Sequence, residues 1–409
     1  MRSPTLAKGR SFLRGPSLSS PMKRPRLAVR IWYLVALPSL LACSSRDLMM
    51  HHASAPDLVS FRVTLPVESV RHPISAHASP DRSDTLHLAR LVGSAGAFRT
   101  IGSIVALPNW LVISDLKTNP YLSVLDLSSG AIVGRFGAAG SDRQSFETPF
   151  DISLDARDSL SVWVYDYRRL RMVLVDVAQP GAARLTRDLF LDVPQPKNRP
   201  MDLPAEPRWL GGKLVAAGYF LDFTLSTFDA HGNSLAHIAF PAPFTPRLLP
   251  NDAGRQMMNS ASIAVSPSGN RLVVAYHFTS RLDFVDSAER LYRSVEGPHE
   301  ILPSLNVPLS EGPGFRQEAS TQMAYASVQA TQNYVYAMFC GCTRSSDTRP
   351  TRLEVWKWDG SFVAEYILDH QVEAFTVSSD GSRLWGAFPE PAPQGTYRAT
   401  IGEWHLPAR

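Results

Sequence analysis

The chain carries a repeated pair of apolar runs, and in each pair the second run ends in Asp. Four copies follow one another after residue 110. They are Leu111–Asp115 with Leu122–Asp126, Val162–Asp166 with Met172–Asp176, Leu214–Tyr219 with Leu225–Asp229, and Leu272–Tyr276 with Leu282–Asp286. The closing Asp residues lie 50, 53 and 57 positions apart. Such a period is typical of β-propeller blades and indicates one supersecondary unit copied along the chain.

Further runs extend the repeat towards the carboxyl terminus. Residues 335–339 and 384–388 align with 272–276, and Gly-containing turns separate neighbouring runs, as hairpins require. Six unit starts follow from this alignment, near Ile104, Ile152, Arg208, Ile263, Ala324 and Phe375. The pattern predicts an all-β fold, a six-bladed β-propeller of four-stranded antiparallel blades, over residues 91–409.

The amino terminus has the features of an export signal. A basic stretch ending at Arg30 precedes a run of twelve residues, 31–42, that is too short to span a bilayer as a helix. The following Leu40-Leu41-Ala42-Cys43 resembles a bacterial lipobox, so residues 1–42 are predicted to be a lipoprotein signal peptide and Cys43 the lipidated residue. The residue after this cysteine is Ser44 and not Asp, which resembles the sorting signal of outer-membrane lipoproteins in bacteria with two membranes. Two start sites of translation are compatible with the sequence, Met1 and Met22.

Residues 43–90 are predicted to form a flexible tether, because Ser, His, Asp and Pro dominate and no sustained periodicity is present. The segment Leu58–Leu65 is rich in β-branched and aromatic residues and is typical of a strand. Two roles are open for it, docking on the propeller or contributing a closing strand. His51 and His52 are interpreted as solvated residues of the tether.

The overall charge of +4 does not indicate a nucleic-acid partner. The first 42 residues hold eight Lys and Arg and no acid, so the rest of the chain has 33 basic and 37 acidic residues. A body with net negative charge lacks the basic surface that phosphate contacts require. Nucleic acid is therefore excluded as an expected partner, and the membrane is expected to be contacted through the lipid.

Two further cysteines, Cys340 and Cys342, are separated by one residue. A zinc site would need additional ligands that the nearby sequence does not supply. A disulfide across one residue is compatible with an oxidising compartment, and an incidental role stays open. No metal ligand and no cofactor is predicted for this chain.

The residues also carry a family resemblance. Gly134–Gly140, with Phe146, Pro149, Ile152 and Asp155 and the runs up to Asp166 and Asp176, resembles a degenerate NHL repeat. Residues 91–409 as a whole are similar to the TolB-like six-bladed propeller lipoproteins of bacteria. Its motifs are structural, so they specify the fold well and the function hardly at all. The resemblance implies binding or scaffolding more than catalysis.

Loop lengths indicate where a binding surface lies. In a four-stranded blade, the connections between the second and third strands and between successive blades leave from the same face. The long Pro-rich segments fall on that face, at 194–207, 241–256, 297–317, 340–350 and 389–397. Long ordered loops on a rigid scaffold commonly carry binding residues, although they could equally serve only to shorten exposed sheet edges.

Aromatic and basic side chains on this face suit an anionic ligand, because Arg matches carboxylates bidentately. The candidate binding residues are Tyr167, Arg168, Arg169, Tyr219, Tyr276, His277, Arg281 and Arg344. Asp115 and Asp166 recur at equivalent positions, which favours a structural role for both.

Two functions from different classes fit these observations. The first is a lipid-anchored envelope protein of the outer membrane that binds a protein, peptide or glycan without catalysis. The second is a metal-dependent hydrolase or lyase at the central channel, since scattered ligands of that kind leave no motif. A cluster of acidic, Asn or His side chains at one mouth of the channel would favour the second.

Overall fold

The protein is a β-propeller whose strands fall into six sheets. The structure is a computed structural model, and it describes residues 83–194, 202–240, 256, 259–301, 321–343, 350–391 and 397–409. The predicted lipidation site Cys43, the pair His51 and His52, and the segment 58–65 lie outside these residues. The same is true of Arg344.

Two short strands come first in the described chain, β1 (Ser83–Leu86) and β2 (Arg90–Val92), and blades 1 to 3 follow. Blade 1 consists of β3 (Ile101–Ala106), β4 (Trp110–Asp115), β5 (Leu122–Asp126) and β6 (Ile132–Phe136). Blade 2 consists of β7 (Pro149–Asp155), β8 (Asp158–Asp166), β9 (Arg171–Asp176) and β10 (Arg184–Phe190). Blade 3 consists of β11 (Leu203–Leu210), β12 (Lys213–Tyr219), β13 (Leu225–Phe228) and β14 (Ser234–Ile238).

The remaining blades complete the ring. Blade 4 consists of β15 (Ala261–Val265), β16 (Arg271–Tyr276), β17 (Arg281–Asp286) and β18 (Leu291–Glu296). Blade 5 consists of β19 (Gln322–Ala330), β20 (Tyr334–Thr343), β21 (Arg352–Lys357) and β22 (Phe362–Leu368), and β1 adds a fifth strand parallel to β22. Blade 6 consists of β23 (Ala374–Val377), β24 (Arg383–Pro391), β25 (Tyr397–His405) and β2. All six predicted unit starts fall in the first strand of a blade, so the fold prediction is confirmed.

The core is divided into six clusters, each lying between two neighbouring blades. Alternate side chains of one strand therefore enter different clusters. On β8, Val162 and Val164 pack towards blade 1, whereas Trp163 and Tyr165 pack towards blade 3. A strand that is covered on both faces favours apolar residues on both of its sides, and not only at alternate positions. This explains why the middle strands appear in the sequence as continuous apolar runs.

The ring closes through the amino-terminal strand β2. It pairs antiparallel with β25, and Val92 is 1% exposed in the cluster between blades 6 and 1. Arg90 donates from Nη2 to Glu403 at 2.8 Å, and the indole Nε1 of Trp385 donates to the same carboxylate at 2.9 Å. The strand that closes the ring is thus Arg90–Val92, in a position that no apolar run of the sequence marks.

The two ends of the strands differ in their connections. One end carries the tight turns within each blade, such as 211–212 and 378–382. The other end, here named the long-loop face, carries the connections from the second to the third strand and from each blade to the next. These include residues 137–148, 191–202, 239–260 and 297–321.

Cys340 and Cys342 form a disulfide near the end of β20, where this strand reaches the long-loop face. The intervening Gly341 has φ +58, in the left-handed region that glycine adopts without strain. No helix within the described residues is long and apolar enough to cross a membrane.

Candidate functional site

The first strands of the blades contact one another around the ring and so form the wall of the central channel. Charged residues enter this wall on blades 2 and 3. Asp151 lies on β7, and Glu206 and Arg208 lie on β11. Glu206 and Arg208 are two positions apart and therefore share one side of their strand. This arrangement brings an acid from blade 2 next to a base and an acid from blade 3.

Arg208 lies between the two carboxylates. Both of its terminal nitrogens donate to Asp151, Nη2 to Oδ1 at 3.1 Å and Nη1 to Oδ2. Its Nη2 is also 3.9 Å from Glu206 Oε2. The side chains of all three residues are largely buried, with exposed fractions between 10% and 16%. One cation thus faces two acids, which leaves a net charge of −1 when both are ionised.

Glu206 connects this group to blade 4. Its Oε2 accepts the backbone N–H of Ile263 at 3.0 Å, and its Oε1 accepts the hydroxyl of Ser262 at 2.9 Å. Ser262 Oγ is 3.1 Å from Nε2 of His277, and Nδ1 of His277 is 3.1 Å from Ser260 Oγ. We name these six residues, Asp151, Glu206, Arg208, Ser260, Ser262 and His277, the channel network.

Burial shifts the pKa values of two side chains in the channel network, Glu206 and His277. Burial, assisted by the negative charge of Asp151, raises the pKa of Glu206 to about 7, against the opposing effect of Arg208. Burial lowers the pKa of His277 to about 4, so this imidazole is neutral near pH 7. With His277 neutral, hydroxyl and imidazole groups can each donate once and accept once. Ser262 is 1% exposed, so its hydroxyl serves as a relay within the network and not as an open nucleophile.

The candidate residues Tyr167, Arg168 and Arg169 form a single 3-10 turn on the long-loop face of blade 2. Arg169 holds the neighbouring connection in place, because its guanidinium donates to the carbonyls of Asp142 at 2.9 Å and Ser145 at 3.0 Å. Arg168 is exposed and forms no hydrogen bond or ion pair with any other described residue.

The side chain of Tyr167, the first residue of this turn, packs against aromatic side chains of blade 2. Its ring lies 6.3 Å from that of Tyr165 and 6.0 Å from that of Phe150. Burial raises its pKa to about 12, so the phenol stays neutral. The turn therefore exposes the Arg168 side chain to solvent, whereas its neighbour Tyr167 packs against Tyr165 and Phe150.

Tyr276 and Arg281 lie inside blade 4 and not on its surface. Arg281 donates to Asp283 through Nε at 2.7 Å and Nη2 at 2.8 Å, and the Tyr276 hydroxyl donates to Asp283 at 2.9 Å. Burial raises the pKa of Tyr276 well above its usual range. These two residues satisfy a fully buried carboxylate, and the structure does not bring them together with the turn at 167–169.

The remaining candidates are spread around the face. Tyr219 ends β12 and is half-buried, and His277 belongs to the channel network. The candidates thus occupy the surface of blade 2, the end of blade 3, the interior of blade 4 and the channel wall. The seven candidates that the structure describes do not form one continuous ring.

The recurrent Asp115 and Asp166 have the structural role that their spacing predicts. The carboxylate of Asp115 accepts the backbone N–H groups of Arg99 and Thr100, at 2.8 and 3.0 Å. Asp166 accepts those of Glu147 and Thr148, at 2.9 and 2.8 Å. Each Asp thereby fixes the connection that leads into its own blade.

Sequence reasoning missed the charges inside the strands. Among the described residues, the side chains with metal-binding atoms close together are His299, Glu354 and Glu365. Glu354 and Glu365 lie on the third and fourth strands of blade 5, in the outer half of the blade and away from the channel wall. A charged residue within an otherwise apolar run, as in Leu353-Glu354-Val355-Trp356, is the signal that marks this position.

Comparison with known proteins supports the same architecture. A model of the family described as TolB-like 6-blade propeller-like matches residues 103–380. No curated protein matches the chain. A Bacteroides fragilis protein described as exported is similar in structure, with 11% identity, a TM-score of 0.48, and coverage of 81% of this chain and 99% of that one.

Two further solved structures are similar to this chain at low identity. A member of the DUF4221 family from Bacteroides vulgatus has 11% identity and a TM-score of 0.47, over 81% of this chain and 96% of its own. The β-propeller domain of Cps50 (Swd1) from Myceliophteria thermophila has 13% identity and a TM-score of 0.40, over 78% and 99%. At these identities the likeness concerns the fold alone.

Proposed function

Because the chain belongs to the TolB-like six-bladed propeller family, we propose that it is a lipid-anchored binding or scaffold protein of the bacterial cell envelope. In this proposal Cys43 carries the lipid and holds the protein at the outer membrane. The long-loop face binds an envelope protein, a peptide or a glycan, and no catalysis is required.

The observation that carries the proposal is the difference in connection length between the two ends of the strands. Turns within the blades at one end are short, as at 156–157, 211–212 and 287–290. At the other end, connections such as 239–260 and 297–321 are several times longer. Loops of that length in a compact domain are uncommon unless they have a function. The strand ends that these connections join all lie on one face of the ring, and loops on one face of a rigid scaffold commonly carry binding residues.

The direction of β1 supports an orientation for this face. β1 runs parallel to β22, with Ser83 opposite Glu365 and Leu86 opposite Leu368. Since β22 runs towards the long-loop face, the chain enters blade 5 from the side of the short turns. In this proposal the lipidated segment therefore joins the ring on the side opposite the long-loop face.

The turn at Tyr167–Arg169 is the part of this face that best fits recognition of an anionic group. Arg169 fixes the turn through backbone carbonyls, so the neighbouring Arg168 is displayed on a rigid support. A guanidinium that is exposed, charged and unpaired can form a bidentate contact with a carboxylate. The partner is therefore expected to present acidic groups at blade 2.

Reversal of charge at Arg168 tests this proposal. We expect Arg168→Glu to reduce capture of the partner from envelope extract at least tenfold, because it replaces an attraction with a repulsion. Arg184→Glu is the matched control, since Arg184 is also exposed on blade 2 but lies next to the short turns. Capture by the immobilised full-length protein is compared by quantitative mass spectrometry. Equal loss in both variants, or loss in neither, contradicts a role for the long-loop face.

A further inference from the structure

Blade 5 contains two buried carboxylates that face each other across neighbouring strands. Glu354 on β21 is paired in register with Glu365 on β22, and their exposed fractions are 0% and 1%. Directly opposed like charges destabilise a sheet, and burial increases the cost of each charge. Arg352, which donates to Glu365 at 3.0 Å, is the cation that pairs with them among the described residues.

Each carboxylate has one oxygen that is held by the protein. Oε2 of Glu354 accepts the hydroxyl of Tyr325 at 2.8 Å and the indole N–H of Trp356 at 3.3 Å. Oε1 of Glu365 accepts from Arg352 and from the hydroxyl of Ser83. These contacts fix the orientation of both carboxylates, in the manner of the outer partners that position metal ligands.

The second oxygen of each carboxylate has different surroundings. Oε2 of Glu365 contacts Nε2 of His299, a residue of the connection between blades 4 and 5. Oε1 of Glu354 is buried and has no hydrogen-bond partner among the described residues. One ligand atom from each of His299, Glu354 and Glu365 lies within 4.8 Å of the others. A buried oxygen without a donor needs an explanation, and a bound cation provides one.

The connection between blades 4 and 5 passes closely over these carboxylates at Gly297. A Cβ on Gly297 would overlap the hydroxyl of Tyr325 and would lie 3.1 Å from Oε2 of Glu354. Glycine at this position therefore allows the connection to pass closely over the carboxylates. The ring of His299 is supported by Phe339, with their centroids 5.0 Å apart.

We propose that His299, Glu354 and Glu365 bind one divalent cation of the zinc type. One imidazole nitrogen and two carboxylate oxygens are a donor set that Zn²⁺ accepts, and a fourth position stays open to water. The cation joins the blade 4–5 connection, through His299, to the outer strands of blade 5. Through Ser83 and Glu365 it also stabilises β1, which lies within the segment 43–90 that the sequence predicts to be a tether. The site is separate from the channel network. Its role in this proposal is to stabilise the contacts between these elements near the long-loop face.

The test uses the full-length protein, purified in detergent and dialysed against EDTA, with ZnCl₂ alone as the probe. We expect one equivalent of Zn²⁺ to bind saturably and to raise the melting temperature by roughly 3–5 °C. His299→Gln and Glu354→Gln are each expected to weaken binding more than about tenfold and to abolish the thermal shift. His299 is partly exposed, so its variant keeps the test informative if Glu354→Gln does not fold.

Two control variants separate this site from other zinc-binding groups. Glu206→Gln removes a buried carboxylate of the channel network, and a variant with His51→Ala and His52→Ala removes the adjacent histidines of the amino-terminal segment. Both are expected to bind Zn²⁺ with unchanged affinity. Absence of saturable binding, unchanged affinity in His299→Gln and Glu354→Gln, or loss of binding in either control would each overturn the proposal.

Discussion

Arg281→Met is expected to lower the free energy of unfolding by about 3 kcal/mol, because it leaves a buried carboxylate without its cation. The Asp283 side chain is 0% exposed and that of Arg281 is 9% exposed, and the two share hydrogen bonds of 2.7 and 2.8 Å. In the variant, Asp283 retains only the hydroxyl donors of Tyr276 and Ser294. The measurement is urea denaturation followed by tryptophan fluorescence.

Two further variants give this prediction its controls. Replacing Asp283 by Asn in the Arg281→Met background removes the buried charge and is expected to recover part of the loss. Arg168→Met, at an exposed arginine without a described partner, should change stability by less than about 0.5 kcal/mol. A neutral effect of Arg281→Met would show that this arginine does not stabilise blade 4.

The channel network is expected to give the two variants Glu206→Gln and His277→Gln opposite responses to pH. The pKa of Glu206 is about 7 in the folded protein against an ordinary value of 4.5, so the folded state keeps a proton that the unfolded chain loses. Its contribution to stability is present below pH 4.5 and is lost as the pH rises to 7. The pKa of His277 is about 4 against 6.5, so its contribution is present above pH 6.5 and is lost as the pH falls to 4.

These two slopes oppose each other in the wild type between pH 4.5 and 6.5. In Glu206→Gln the contribution of His277 remains. The free energy of unfolding of this variant should therefore rise relative to that of the wild type by about 2 kcal/mol from pH 5 to 6.5. Without His277, stability should fall relative to the wild type by a similar amount over the same interval. Denaturation curves at several pH values measure both differences. Glu300→Gln is the control at an exposed acid, and its curve should stay parallel to that of the wild type.

Parallel curves for all three variants would contradict the titration of the channel network. Arg208 and Asp151 are unchanged in each variant, so the comparison isolates the proton held by Glu206 and His277. The network would then be an inert set of hydrogen bonds in the channel wall.

The sequence predicted the middle strands well, because each of them is covered on both faces. The runs ending at Asp115, Asp166 and Tyr276 belong to the second strands of blades 1, 2 and 4, and each contains at least three consecutive apolar residues. The fourth strands are covered on one side only, and runs such as Ser234–Ile238 give a weaker signal. The closing strand Arg90–Val92 has three residues, too few to show a period.

The site was harder to predict because it depends on contacts between distant residues. Arg208 meets Asp151, which is 57 positions away, and His299 meets Glu365, which is 66 positions away. Arg281 begins a strand next to a loop, and the sequence does not show that its side chain turns inward to Asp283. The sequence thus identified the face on which loops are long, whereas the direction of each charged side chain required the register of the strands.

In-cell photo-crosslinking at two positions of blade 2 tests the central claim most directly. A photoreactive amino acid replaces Arg168 on the long-loop face or Arg184 beside the short turns, in full-length protein expressed in a bacterium with two membranes. The account predicts that position 168 crosslinks to a discrete envelope component, that position 184 does not, and that Cys43→Ala removes both the crosslink and the membrane association. Membrane association that persists in Cys43→Ala, or the same crosslinks at both positions, would contradict a lipid-anchored propeller that binds through its long-loop face.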